Sequence, residues 1–245
     1  MSLPPLIWLT GLACTLLGLG LWAGPSLLRS LTARYDNAAL SPTRPDGKPE
    51  GDTDSQTTPA LIAAIRTWCT AHLGSGRTPF WRPGAVPDVA QRLSVALLSG
   101  PAPAAQIEAL ARQLDRDDEL AALAAVSRRR AIGLKLAVKW QELWWWRARH
   151  PQQAWDCGWL RADVAALAAF SPRRPTLVIA QGLAAAAIDA AVRHLQAAHG
   201  SYRHPVRLLV LASEMPEGFA TRLAAAGVPL VCIDAPADEP RAGQN

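Results

Sequence analysis

Lysine is nearly missing from this 245-residue chain: Lys48, Lys135 and Lys139 are its only lysines, and arginine supplies the rest of its 25 basic side chains. Against 20 acidic residues the formal net charge is +5, too thinly spread to indicate a nucleic-acid partner unless the cations cluster. Cysteine is scarce as well. Cys14, Cys69, Cys157 and Cys232 lie far apart with no CxxC pair, which argues against a zinc site or a disulfide framework. Charged residues make up only 18% of the chain, but half of it is hydrophobic, so disorder throughout is excluded. Only one stretch is long and apolar enough to span a bilayer, which excludes a polytopic membrane protein.

That stretch is the amino-terminal one. No side chain before Arg29 carries a charge, and residues 6–28 are almost wholly apolar. At about 1.5 Å per helical residue, roughly 20 residues cross a hydrocarbon core, and this run suffices. Trp8 and Trp22 lie towards its ends, where indole rings favour the interface. A cleaved signal would need positive charge at its start, and residues 1–5 have none. Arg29 and Arg34 follow the run, so the positive-inside rule places the carboxyl-terminal bulk in the cytoplasm. The expectation is a single-pass inner-membrane protein with residues 1–35 as anchor, its amino terminus outside. Unpaired cysteines suit the reducing compartment on the inner side.

Residues 36–58 change character: from Ser41 to Ser55 there is no aliphatic side chain, which predicts a disordered linker. No internal repeat marks a solenoid. Residues 59–150 read as a helical region. Leu61, Ile65, Trp68 and His72 share one helical face, and further helices are expected over 87–98, 104–114 and 117–126. Asp117, Asp118 and Glu119 open the last of these, where the helix dipole favours negative charge. Gly74 to Thr78 lacks the phosphate-loop spacing and follows no strand, so nucleotide binding there is rejected.

The densest local chemistry lies at 128–149, where Arg128, Arg129, Arg130, Lys135, Lys139, Arg147 and Arg149 face one acid, Glu142. Trp140, Trp144, Trp145 and Trp146 interleave with them. Three readings are open. Ile132, Leu136, Trp140 and Leu143 share a helical side, so the segment reads as a largely buried helix with snorkelling charges. The same mixture of Trp and cations suits a membrane surface. It also suits a nucleic-acid backbone.

Beyond residue 174 the pattern changes period. Thr176 to Ala180 and Val206 to Ala212 are continuous apolar runs, expected as strands buried on both faces. Residues 183–199 and 216–226 are helical between them and the third strand, 228–233. A β-α-β-α-β order implies a mainly parallel sheet through right-handed crossovers, so 151–235 is expected to be an α/β domain with a flexible tail at 236–245. No Gly-x-Gly-x-x-Gly follows the first strand, which disfavours a dinucleotide site. His194, His199 and His204 have no ligand spacing on a helix and read as structural or capping groups. Ser213-Glu214 ends the second strand, a position where α/β sheets often bind ligands.

With Asp163 near the start of the final 90 residues and Gln181 ending a strand, this part resembles the catalytic domain of Mrr-type restriction endonucleases, in the PD-(D/E)xK nuclease-like superfamily. In that pattern an Asp-bearing strand leads to a strand ending in (Glu/Gln)-x-Lys, then helix, strand, helix and a short strand. The resemblance implies a strand over 160–167 carrying Asp163, a restriction-endonuclease-like or Rossmann-like sheet, and Asp163 and Gln181 as catalytic positions; read from its residues alone, 161–170 also suits an Ala-rich helix carrying a surface Asp. Leu183 stands where the family places its lysine. Mg²⁺ would need carboxylate oxygens and a nearby cation, which one Asp and a neutral Gln do not supply. No cofactor is therefore expected unless the chain is a nuclease. Function is expected as a membrane-anchored, non-catalytic module that binds a partner protein or DNA. The alternatives are a tethered Mrr-like metal-dependent endonuclease and a structural component of an envelope or secretion apparatus.

Overall fold

A computed structural model describes residues 14–15, 39–44, 59–71, 92–99, 104–143, 153–202, 204–212 and 217–234. The chain divides into two units, 1–34 and 35–245. In the first, only Cys14 and Thr15 are described, both helical and exposed. Among the described residues no helix is long and apolar enough to cross a membrane, and the remainder of the 6–28 run lies outside them.

The second unit is built on a six-stranded sheet. Its strands are β1 (Leu40–Ser41), β2 (Leu93–Ser99), β3 (Asp156–Leu160), β4 (Thr176–Gln181), β5 (Val206–Leu211) and β6 (Leu230–Asp234). They run across the sheet in the order β1-β3-β4-β5-β2-β6. Every pairing is parallel except β1 with β3, which sets Leu40 against Leu160. The expected α/β class and mainly parallel sheet are thus present. Parallel strands are covered on both faces by crossover helices, which is why β4 and β5 read as unbroken apolar runs.

Successive side chains divide between two cores. Val95, Leu97, Val178, Ala180, Leu208 and Val210 point to one face. That face is covered by a 3-10 helix (Val164–Ala169), by α5 (Ala185–Ala198) and by α6 (Phe219–Ala225). Ile188, Ala191, Val192 and Leu195 recur at helical spacing along α5, and each large aliphatic among them contributes about 1.5–3 kcal/mol on burial. Ala96, Leu98, Leu177, Ile179 and Leu209 point to the other face. There α1 (Pro59–Thr70) supplies Leu61, Ile65, Trp68 and Cys69, and α2 (Ala104–Asp115) supplies Ile107, Leu110 and Leu114.

Three expectations are corrected. Residues 87–98 read as a helix, but 93–99 form β2, hydrogen-bonded between β5 and β6, and 87–91 lie outside the described residues. A short apolar run cannot be assigned by periodicity alone, and Gly100-Pro101 directly after it is the boundary of a buried strand. Consequently the region 59–150 and the domain 151–235 share one sheet rather than meeting at a boundary, and β6 pairs with β2. The expected linker 36–58 contains β1: Ala39 and Leu40 are buried against the edge of β3. Finally, 160–167 is not a strand. β3 ends at Leu160, and the chain turns into the 3-10 helix that begins at Val164.

Helices α3 (Asp117–Val126) and α4 (Arg128–Leu143) follow α2. They form a hairpin whose packing is chiefly internal: α4 lies on α3, and α3 on α2. Over the central strands β3, β4, β5 and β2 both faces of the sheet are occupied by other elements, whereas the edge strand β6 leaves Val231 and Cys232 exposed. No residue of α3 is buried.

Candidate functional site

Three places could carry function: the carboxyl edge of the sheet, a polar cavity beside α1 and α2, and the outer side of α4.

At the carboxyl edge, β3 and β4 are neighbours, with Trp159 opposite Ile179. Gln181 is the last residue of β4, and it pairs with Leu211, which packs on the α1–α2 face. Gln181 therefore belongs to that face, and its Oε1 is buried without a hydrogen-bond partner among the described residues. Asp163 is exposed and stands one residue before the 3-10 helix that covers the opposite face, making no side-chain cap there. The two positions singled out by the nuclease resemblance thus do not stand on neighbouring strands: Gln181 ends β4, and Asp163 lies beyond the end of β3. Leu183, at the place of the family's lysine, packs against the apolar core. Gly182 between them takes a left-handed φ of 65°, turning the chain sharply from β4 into α5. Ser213 and Glu214 lie outside the described residues. Among the described residues no group of three His, Cys, Asp or Glu side chains could hold a metal ion.

Beneath α1, near the amino edge of the sheet, Cys157, Leu177, Arg207 and Ser94 form one row across four strands. Arg207 is completely buried, and its guanidinium donates to the carbonyl of Ala71 at 3.1 Å and to that of Val206 at 3.3 Å. Trp68 Nε1 donates to Ser94 Oγ at 3.0 Å. The Asp115 carboxylate accepts from the backbone N–H of Cys157 at 2.8 Å. Burial pushes the Cys69 thiol up to about 12, against a smaller downward pull from Arg207. Burial, helped by the Asp115 carboxylate, also holds the Cys157 thiol well above its ordinary range. Such thiols are poor nucleophiles and poor metal ligands at neutral pH, because the thiolate is the reactive form. This row holds α1 and α2 on the sheet.

The cavity has a volume of about 450 Å³ and is lined by Arg66, Thr67, Thr70, Gln113, Leu114, Arg116, Glu119 and Gln153. Its two guanidiniums are already engaged. Arg66 donates to Gln113 Oε1 at 3.1 Å, and Arg116 forms a fork with both Glu119 oxygens at 2.7 Å. The hydrogen bond from Arg116 holds the Glu119 carboxyl below its ordinary range. Arg116 takes a left-handed φ of 62° at the joint between α2 and α3, and that fork fixes it there.

The basic segment behaves differently from the buried-helix reading. Arg128, Arg129, Arg130 and Lys135 are exposed on α4. Lys139 is buried, at 7% exposure, so it does not belong to the basic surface. Arg147 and Arg149 lie outside the described residues. Ile132, Leu136 and Trp140, expected inward, expose 47%, 49% and 57% of their surface, and Val126 at the end of α3 exposes 77%. Periodicity tells which residues share a side of a helix, not which way that side faces. The usable signal is that one segment carries both the apolar row and the cations.

His199 Nδ1 donates to the Gln196 carbonyl in the last turn of α5, and His204 is buried. His72 lies outside the described residues. No family of known proteins, no curated protein and no solved structure matches this chain.

Proposed function

We propose that the protein is a single-pass, membrane-anchored binding module rather than an enzyme. In this reading residues 6–28 span the inner membrane and the α/β unit sits on the cytoplasmic side, within reach of a partner protein or DNA. The observation that carries it is Leu183. Metal-dependent phosphodiester cleavage needs a cation beside the attacking water and carboxylates around the metal. Position 183 instead gives an apolar side chain to the core, while Asp163 stands exposed after the end of β3 rather than on a strand beside Gln181. The uncharged amino-terminal run, with its first charge at Arg29, supports the anchor.

Two measurements test the two halves. Full-length protein is expected in the membrane pellet after carbonate extraction, and a reporter fused behind Asn245 should be active in the cytoplasm. Recovery in the supernatant, or activity only in the periplasm, would overturn the anchor. Duplex DNA incubated with the full chain and Mg²⁺ or Mn²⁺ should remain intact. Cleavage that Asp163→Ala abolishes would restore the nuclease reading.

A further inference from the structure

The outer side of α4 is an apolar row set among exposed cations. Ile132, Leu136 and Trp140 stand at i, i+4 and i+8, a ridge about 12 Å long at 1.5 Å per residue. Arg129 lies on the same arc of the helix, with Arg130 on one flank and Arg128 and Lys135 on the other, as 100° per residue requires. All four cations are exposed, and none has an ion pair among the described residues. The sequence continues past Leu143 with Trp144, Trp145, Trp146, Arg147 and Arg149.

We infer that this side of α4 lies in the plane of an anionic membrane surface, with Ile132, Leu136 and Trp140 entering the headgroup boundary and the arginines meeting lipid phosphates and carboxylates. The inference rests on the membrane reading above for its setting, and it assigns the bilayer a second contact distinct from residues 6–28. Charge complementarity selects the occupant. Four exposed cations without an ion pair among the described residues match a surface of fixed negative charge. The ridge then selects among anionic surfaces. Duplex DNA would reward the cations and leave Ile132 and Leu136 facing phosphates, since backbone contacts are made by charged and polar groups. A second copy of the chain would bring four like charges against four. A stable protein interface also needs about 800 Å² from each side, more than one row of three side chains offers. A narrow convex ridge with cations beside it suits a fluid interface that closes around it.

The test uses the full chain with vesicles of phosphatidylcholine alone or mixed with phosphatidylserine, reading amide hydrogen exchange along 128–143. The hairpin is peripheral, so its amides open readily, and the anionic vesicles should slow their exchange by on the order of tenfold while neutral vesicles leave it unchanged. The quadruple variant Arg128→Gln, Arg129→Gln, Arg130→Gln, Lys135→Gln should lose that protection. So should Ile132→Ser, Leu136→Ser, Trp140→Ser, and both should keep the parent circular dichroism because every altered side chain is exposed. Equal exchange with both vesicles overturns the inference, as does protection by duplex DNA without lipid, or protection that grows with protein concentration alone. Flotation with neutral vesicles separates the two membrane claims. A chain that floats with both vesicle types but shows equal exchange retains its anchor and loses this contact. A chain that fails to float with neutral vesicles yet is protected by anionic ones loses the anchor and retains this contact.

Discussion

At the scale of single residues, the buried charges behave as structural groups. Arg174 Nη1 stands 2.9 Å from Asp156 Oδ1, with side-chain exposures of 13% and 4%. Removing one member of such a pair strands the other charge away from water. Asp156→Asn should therefore lower unfolding free energy by about 3 kcal/mol, read from urea titration. Asp156→Asn combined with Arg174→Met should recover part of that loss, and no recovery would mean the pair is not the cause. The thiols make a second residue-scale prediction. Cys69 keeps its proton in the folded state up to about pH 12, whereas the unfolded chain releases it near 9.0. Above the lower value the native state binds more protons than the unfolded one, so stability falls as pH rises. The loss should begin near 9.0 and continue towards 12, with Cys157 and the buried Tyr202 adding in the same direction. Denaturant midpoints across that range check it. Alkylation near pH 8 should likewise modify Cys232, which is exposed, and spare Cys69 and Cys157 until denaturant is added.

At the scale of elements, the turn after β4 decides how the sheet hands the chain to α5. Gly182 holds φ at 65°, and a Cβ added there would meet no atom within 4 Å. Gly182→Ala should cost about 1 kcal/mol through the left-handed backbone alone, without a packing defect. Thermal unfolding reads this, and a loss of several kcal/mol would show that the open space is filled. The hairpin of α3 and α4 presents the reverse situation. Its side chains take no part in either core cluster, because α4 packs on α3 and α3 on α2, while the central strands are covered by α1 and α2 on one side and by the 3-10 helix, α5 and α6 on the other. An amphipathic helix left over in this way turns its apolar row outward, and the row becomes available to something outside the chain.

For the whole molecule, the position of β2 is decisive. Its parallel bonds to β5 and β6 join residues 93–99 to a sheet otherwise formed largely after residue 155. A fragment of residues 151–245 would lack the strand between β5 and β6, leaving β5 with an open apolar edge and β6 without its partner. Such a fragment should show no cooperative unfolding transition and should aggregate, whereas residues 35–245 should unfold in one step. A cooperatively folding 151–245 would contradict the strand order. The same strand explains why two apparent regions read from sequence are one folding unit.

The strands β4, β5 and β6, the helices between them, and α1, α2 and α3 were legible because each announces itself locally. Apolar runs bounded by turn residues, 3.6-residue periodicity and an acidic first turn are properties of adjacent residues. The parallel sense of the sheet followed from the alternation of strand and helix. Tertiary structure alone decided the rest. The run at 93–99 became a strand because β5 and β6 supply hydrogen-bond partners on both sides, although its own composition suits a helix equally. Leu40 became part of the sheet because the edge of β3 was open to it. Asp163 stands outside the sheet because the chain after β3 bends into a 3-10 helix, whereas Gln181 remains the last residue of β4. The apolar row of α4 faces outward because α4 packs on α3 rather than on the sheet. Sequence determines what a segment can bury. Which segment finds a surface to bury it against depends on how much of that surface the others have already taken.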